Sequence, residues 1–309
     1  MKQKFHLAVA GAAIALAVAA CSDTGLGLTS EQAEVLAAFQ NQLGAMTDSD
    51  FGDAGAVASA SASATASFAL SPSGVQDTAI APLFWGRIRV IRGGPRPIYH
   101  RDVTIQGDTA WVERDITFNG IFLVDTSADA AFNPTSKPLS EIVSQQAVFV
   151  REPAAGHGWR AVALSPLQWQ NTAVAKRTVQ VQSVAVYKNG ALVIQVTDPD
   201  SLYDVVNRIP RFHLGDTVRV VAQIDNSTGG GYAPATFAFL HVRHADTTGV
   251  MWRRVPMQDL GGGQFEKTWI ARRTGIDRFV VDGLDAATLV LGTGDSYRAN
   301  EWGIPYRIE

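Results

Sequence analysis

His241 and His244 stand in the run FLHVRHAD, with Asp246 two places beyond. Two imidazoles and a carboxylate are ligands that a tetrahedral zinc ion takes. The same run reads as a β-strand, and a strand sends residues three apart to opposite faces. His241 would then share a face with Arg243, and His244 with Asp246. Only a bulge or an early strand end would bring both rings to one ion. Without it they are partly exposed strand histidines, and no metal is expected. Asp198, Asp200 and Asp204 crowd the run VTDPDSLYD. Carboxylates on one loop suit calcium, but the glycine and closing glutamate of a helix–loop–helix calcium site are missing. Asp-Pro-Asp is also good turn chemistry.

The tail SYRANEWGIPYRIE sets Tyr297, Trp302 and Tyr306 among Arg298, Asn300 and Glu301. It reads either as a segment crossing the end of a sandwich before a last strand PYRIE, or as a partner surface for a peptide or glycan. Around IRGGPRPIYHR, Arg89 just before it and Arg92, Arg96 and Arg101 within it gather near one turn. They read as a solvated hairpin tip, with anionic headgroups as the alternative partner. His100, Asp102 and Glu113 are the titratable residues nearby. The triplets at 229–231 and 261–263 are glycine-rich but lie between strands, with no following helix or Lys-Ser end to make a phosphate loop. No G-x-S-x-G elbow occurs. No catalytic constellation emerges, and no cofactor is expected.

Cys21 is the only cysteine in 309 residues, so no internal disulfide can form. Lys2 and Lys4 precede an apolar or small run at 7–20, which is shorter than a comfortable membrane span. Then comes Val18-Ala19-Ala20-Cys21. This segment resembles a bacterial lipobox, which implies cleavage between Ala20 and Cys21 and diacylglycerol on the Cys21 thiol. The competing reading is an ordinary secretory signal. Two or three acyl chains anchor stably where one is marginal. Ser22 after the cysteine implies, by the same resemblance, release to the outer membrane of the bacterial cell envelope.

Those residues need elements to hold them. Hydrophobic residues are 46% and charged residues 18%, a composition that buries cores. The formal net charge of −3, with no basic stripe, excludes nucleic acid as the expected partner. Residues 21–28 read as a tether. TSEQAEVLAAFQNQLGAM reads as a helix, with Thr29 and Gln32 as a capping box, Leu36, Phe39, Leu43 and Met46 as its apolar stripe, and Gly44 as its stop. Residues 47–81 are low-complexity Ala/Ser, divided between a poorly ordered segment and a second helix. From 83 to 170 the pattern is strands in meander order, with Asn119-Gly120 as a hairpin turn. The runs GDTAWV, NGIFLV, AVFV and GWRAVALSP resemble the curved sheet of nuclear-transport-factor-like (cystatin-like) domains. That resemblance implies a helix on a curved antiparallel sheet over 29–170 and assigns no catalytic residue.

After a joint at 171–177, turn signals recur through 178–309, beginning with the hairpin at Lys188-Asn189-Gly190. That spacing resembles an immunoglobulin-like sandwich without its disulfide. The fold expected is mostly β: α+β, then all-β. The function expected is a lipid-anchored, non-catalytic binding or scaffolding module of unknown ligand. Its partners are the membrane through the N-terminal lipid, and a protein or glycan. The alternative is a small-ligand-binding or hydrolytic protein using the concave face of the first domain.

Overall fold

The computed structural model describes residues 28–47, 84–91, 94–125, 133–228, 235–246, 249–289 and 296–309. The signal segment 1–20, Cys21, the tether as far as residue 27, Arg92 and the Ala/Ser stretch from 48 onward lie outside the described residues. One helix, α1 (Ser30–Thr47), precedes strands β1 (Phe84–Ile88), β2 (Ile98–Gln106), β3 (Thr109–Asp125), β4 (Thr135–Arg151), β5 (Trp159–Leu164) and β6 (Leu167–Asn171). The remaining strands are β7 (Val179–Lys188), β8 (Ala191–Val196), β9 (Tyr203–Asp204), β10 (Arg211–Phe212), β11 (Thr217–Asn226), β12 (Thr236–Asp246), β13 (Gly249–Pro256), β14 (Gln258–Gly261), β15 (Gln264–Ile270), β16 (Gly275–Asp285) and β17 (Ala299–Ile308). Among the described residues no helix is long and apolar enough to cross a membrane.

The capping box closes α1 as the sequence predicts. The Gln32 N–H donates to the Thr29 hydroxyl at 3.2 Å, and the Thr29 N–H donates to the Gln32 side chain at 3.0 Å. The buried stripe is Val35, Ala38, Phe39 and Leu43, while Leu36 is only half-buried. The helix runs through Gly44 to Thr47 instead of stopping there. The stripe lies on the inner face of the first sheet, against Val103, Val112, Phe149, Trp159 and Leu164. Gln42 pins it in place: its amide donates to the Trp159 carbonyl at 2.5 Å and accepts the Ala161 N–H at 2.9 Å.

Asn119-Gly120 is not a turn. β3 runs straight through it, paired with β4 from Thr109↔Val150 to Val124↔Thr135. Gly120 is needed for another reason. A Cβ there would lie 2.1 Å from the Ile88 carbonyl oxygen, so only glycine lets β1 cross this closely. Asn189-Gly190 does turn, with φ of 49° and 90°, between β7 and β8.

Two sheets result. The larger follows the order β1-β3-β4-β6-β17-β16-β12-β13, with β2 on β3, β5 on β4, β9 on β5, and β10 parallel to β17. The smaller is β14-β15-β11-β7-β8. It packs on β12, β16 and β17 as a β-sandwich, filled by Val184, Val186, Val218, Val220, Leu240, Phe279 and Tyr306 among others. Along β7, Val179 and Val181 face this core, then Val184 and Val186. A register shift opposite Gln223 and Ile224 absorbs the change of parity.

The larger sheet continues across the joint at 171–177, because β6 pairs with β17 from Asn300↔Gln170 to Gly303↔Leu167. The tail is therefore a central strand and not a plug before a short terminal one. The sheet also curls until its ends approach: Arg254 of β13 donates to the Trp85 carbonyl of β1 at 3.0 Å. Odd-numbered residues of β16, such as Phe279 and Val281, enter the sandwich core. Even-numbered ones, Val280, Asp282 and Leu284, face the interior of the curl.

Candidate functional site

The curl has a charged interior. β1 sends Trp85 and Arg87 inward by strand alternation, and Arg89 follows on the same side; all three are buried. β4 sends Lys137, Leu139, Glu141, Val143 and Gln145 inward, alternating polar and apolar side chains on one buried face. β16 contributes Asp282, β17 contributes Glu301, β12 contributes His241, and the approach to β17 contributes Tyr297.

These groups form one network. Arg87 takes Asp282 with both guanidinium ends at 2.8 Å, reaches Glu301 at 3.0 Å, and donates through Nε to the Tyr297 hydroxyl at 2.6 Å. Arg89 donates to Glu141 at 2.7 Å and to Glu301 at 3.4 Å. Tyr297 donates to Glu141, and Glu301 lies 3.2 Å from the same hydroxyl. His241 Nε2 is 3.0 Å from Asp282 Oδ2. Arg87, Glu141, His241, Asp282, Tyr297 and Glu301 are each no more than 1% exposed. At that burial an unpaired charge would cost several kcal/mol, so the charges must be paired or neutralised by a proton.

Electrostatics divides the members. Burial alone would raise the Asp282 carboxyl, but the Arg87 charge and the His241 bond outweigh it and hold the group below the usual carboxylate range. Glu301 goes the other way: burial, with Glu141 beside it, lifts its carboxyl well above that range. Burial likewise lifts the Tyr297 phenol well above its ordinary value, so it stays protonated and donates. Arg89 is raised, because Glu141 and Glu301 outweigh the cost of burying it. The network holds three carboxylates, two guanidiniums and one imidazole. A proton retained on Glu301 brings it toward neutrality.

Sequence reasoning places Arg89 on a solvated tip, yet it is buried in this network. Of its companions, Arg96 and Arg101 are exposed. Arg101 covers the Tyr99 ring at 5.1 Å. His100, Asp102 and Glu113 are exposed on the outer face. His241 is not a partly exposed strand histidine but a buried partner of Asp282. β12 pairs regularly with β13 from Phe239 to Asp246, so no bulge falls between positions 241 and 244. Asp198 caps its own turn, accepting the Asp200 N–H at 2.9 Å and the Ser201 hydroxyl at 3.2 Å. Asp204 accepts the N–H groups of Val206 and Asn207. Among the described residues no three His, Cys, Asp or Glu side chains gather as a metal site. Tyr297, Trp302 and Tyr306 are 1%, 2% and 3% exposed, so they form no common outer surface. They serve the charged interior (Tyr297) and the sandwich core (Trp302 and Tyr306).

Accessible concavities lie elsewhere. One cleft of about 660 Å³ lies between Lys188, Val193 and Ile194 on one side and Tyr203, Arg208 and Arg211 on the other. A second, of about 310 Å³, is lined by amides, including Gln168, Gln170, Gln180 and Asn300, beside Trp302. A third, of about 300 Å³, opens at one end of the sandwich and is lined by arginines over Trp269 and Tyr306. No family model, no curated protein and no solved structure matches the chain.

Proposed function

We propose that the chain is a lipid-anchored protein of the bacterial outer membrane that works as a non-catalytic binding module. One observation carries the binding half. Among the described residues a dense set of ionisable groups is shut inside the curled sheet, paired with one another. The open clefts instead present cations, amides and aromatic rings, groups suited to holding a ligand. The inner face of the first sheet, which a ligand-binding or hydrolytic protein of the alternative kind would use, is occupied by Phe39, Leu43 and the rest of the α1 stripe. The anchoring half rests on Lys2, Lys4, the apolar run and Val18-Ala19-Ala20-Cys21.

Growth with labelled palmitate tests the anchor. The wild type is expected to carry label and to sediment with membranes, and Cys21→Ala to lose both and keep its leader. An unlabelled wild type sinks the anchoring claim and leaves the binding claim standing on its own.

A further inference from the structure

The cleft of about 300 Å³ lies where β12, β13, β15 and the start of β16 open apart. Among the described residues five cationic side chains line it, Arg243, Arg253, Lys267, Arg272 and Arg273, against one carboxylate, Asp277. The whole chain carries a formal −3, so this concentration of positive charge runs against the average of the molecule. Like charges gathered in one mouth repel, and an anionic ligand relieves that repulsion.

The cations are partly ordered from beneath. Asp277 is buried, and its carboxylate stands 3.6 Å from Arg243 Nε and 3.8 Å from Arg273 Nη1. It also accepts the Arg278 N–H at 2.8 Å, which fixes its direction. Arg243 lies over the Trp252 ring at 5.0 Å, so its fork is held by stacking as well. Asp277 is shared between Arg243 and Arg273, and at the opening Arg253, Arg272 and Arg273 are exposed. The floor is aromatic: Trp269 and Tyr306 meet with ring centres 5.5 Å apart. The Trp269 indole N–H has no acceptor among the described residues.

We infer that this cleft binds a phosphate ester, with the phosphoryl group held by arginine forks at the mouth and its organic part lying toward Trp269. Guanidinium forks match phosphate oxygens two at a time. A phosphomonoester carries nearly two negative charges near neutral pH and answers this density of cations better than one carboxylate does. The cleft holds about ten water volumes, enough for a phosphoryl group and one ring but not for a nucleic-acid strand. The inference deepens the binding reading and is independent of the anchor. The phosphate is either free, on a soluble ester, or fixed in a lipid headgroup.

Two titrations of the full chain in non-ionic detergent decide it, one with inorganic pyrophosphate and one with micelles doped with phosphatidic acid, each followed by calorimetry. The wild type is expected to bind in at least one, more weakly as salt is raised. Arg272→Ala combined with Arg273→Ala is expected to weaken that binding about tenfold or more, since both side chains are exposed and their loss leaves the fold intact. Arg160→Ala, on β5 and outside all three clefts, is the control and should change nothing. Binding of pyrophosphate points to a soluble ester, and binding of doped micelles alone points to a headgroup. If neither probe binds up to about 10 mM, a weak limit for specific recognition, or if the double variant binds as the wild type does, the inference is wrong.

Discussion

Arg87 has no neutral form to adopt inside a protein, so burying it commits the chain to surrounding it with anions. It gains Asp282, Glu301 and Tyr297 from the far end of the sequence. Arg87→Met would leave those carboxylates facing one another with one guanidinium gone. A loss of about 3–5 kcal/mol is expected in chemical denaturation. Arg87→Lys should recover little of it, since an ammonium cannot span both Asp282 oxygens. The same site sets a dependence on pH. An acid whose pKa rises on folding binds more protons when folded. Its contribution is therefore complete below the unfolded value and is lost as pH climbs through the window above it. Glu301 is such an acid, so stability should fall as pH rises above the ordinary carboxylate range, by at most about 1.4 kcal/mol per pH unit for one proton. Glu301→Gln should flatten that slope. Asp282, with its pKa lowered, acts oppositely: its contribution is present above its unfolded value and is lost in stronger acid. A slope unchanged in Glu301→Gln would assign the proton elsewhere.

At the scale of elements, local signals were legible where local chemistry decides. Thr29 and Gln32 cap α1 as their spacing requires, and Thr29→Ala should cost about 1 kcal/mol by thermal unfolding. Asn189-Gly190 turns because nothing else claims it. Asn119-Gly120 has the same letters and a different duty, set by the approach of β1. Gly120→Ala should therefore cost about 3 kcal/mol or more through the clash with Ile88. Asn119→Ala, at an exposed position bonded only to Ser140, should cost under about 1 kcal/mol. Equal costs would restore the turn reading. The charged interior was not legible for a related reason. Alternation tells which residues share a face, but the usual assumption sends charges outward, and here Arg87, Glu141 and Asp282 face in. Their partners lie too far along the chain for spacing to reveal. The cationic cleft was hidden similarly, since its arginines come from several strands and a loop.

At the scale of the whole molecule, the pairing of β6 with β17 joins the two stretches that composition separates at 171–177. Leu167, Trp169 and Val280 share one cluster, and Trp85, Phe122, Phe239 and Leu284 share another, each drawing on both stretches. The described structure should unfold in a single transition, with tryptophan fluorescence and far-ultraviolet circular dichroism coinciding. Two resolved transitions would show that the sheet parts at the joint. The position of β17 also has a consequence for how the protein is made. Arg87 and Tyr297 are separated by 210 positions, and Asn300 and Trp169 by 131. While the chain is being synthesised, Arg87 emerges long before Asp282, Tyr297 and Glu301, the residues that surround it. A half-finished chain has a strong reason not to close early, because closing would bury charges without partners. Among the described strands β17 is made last, and the Glu301 it carries is needed before the interior can close around Arg87.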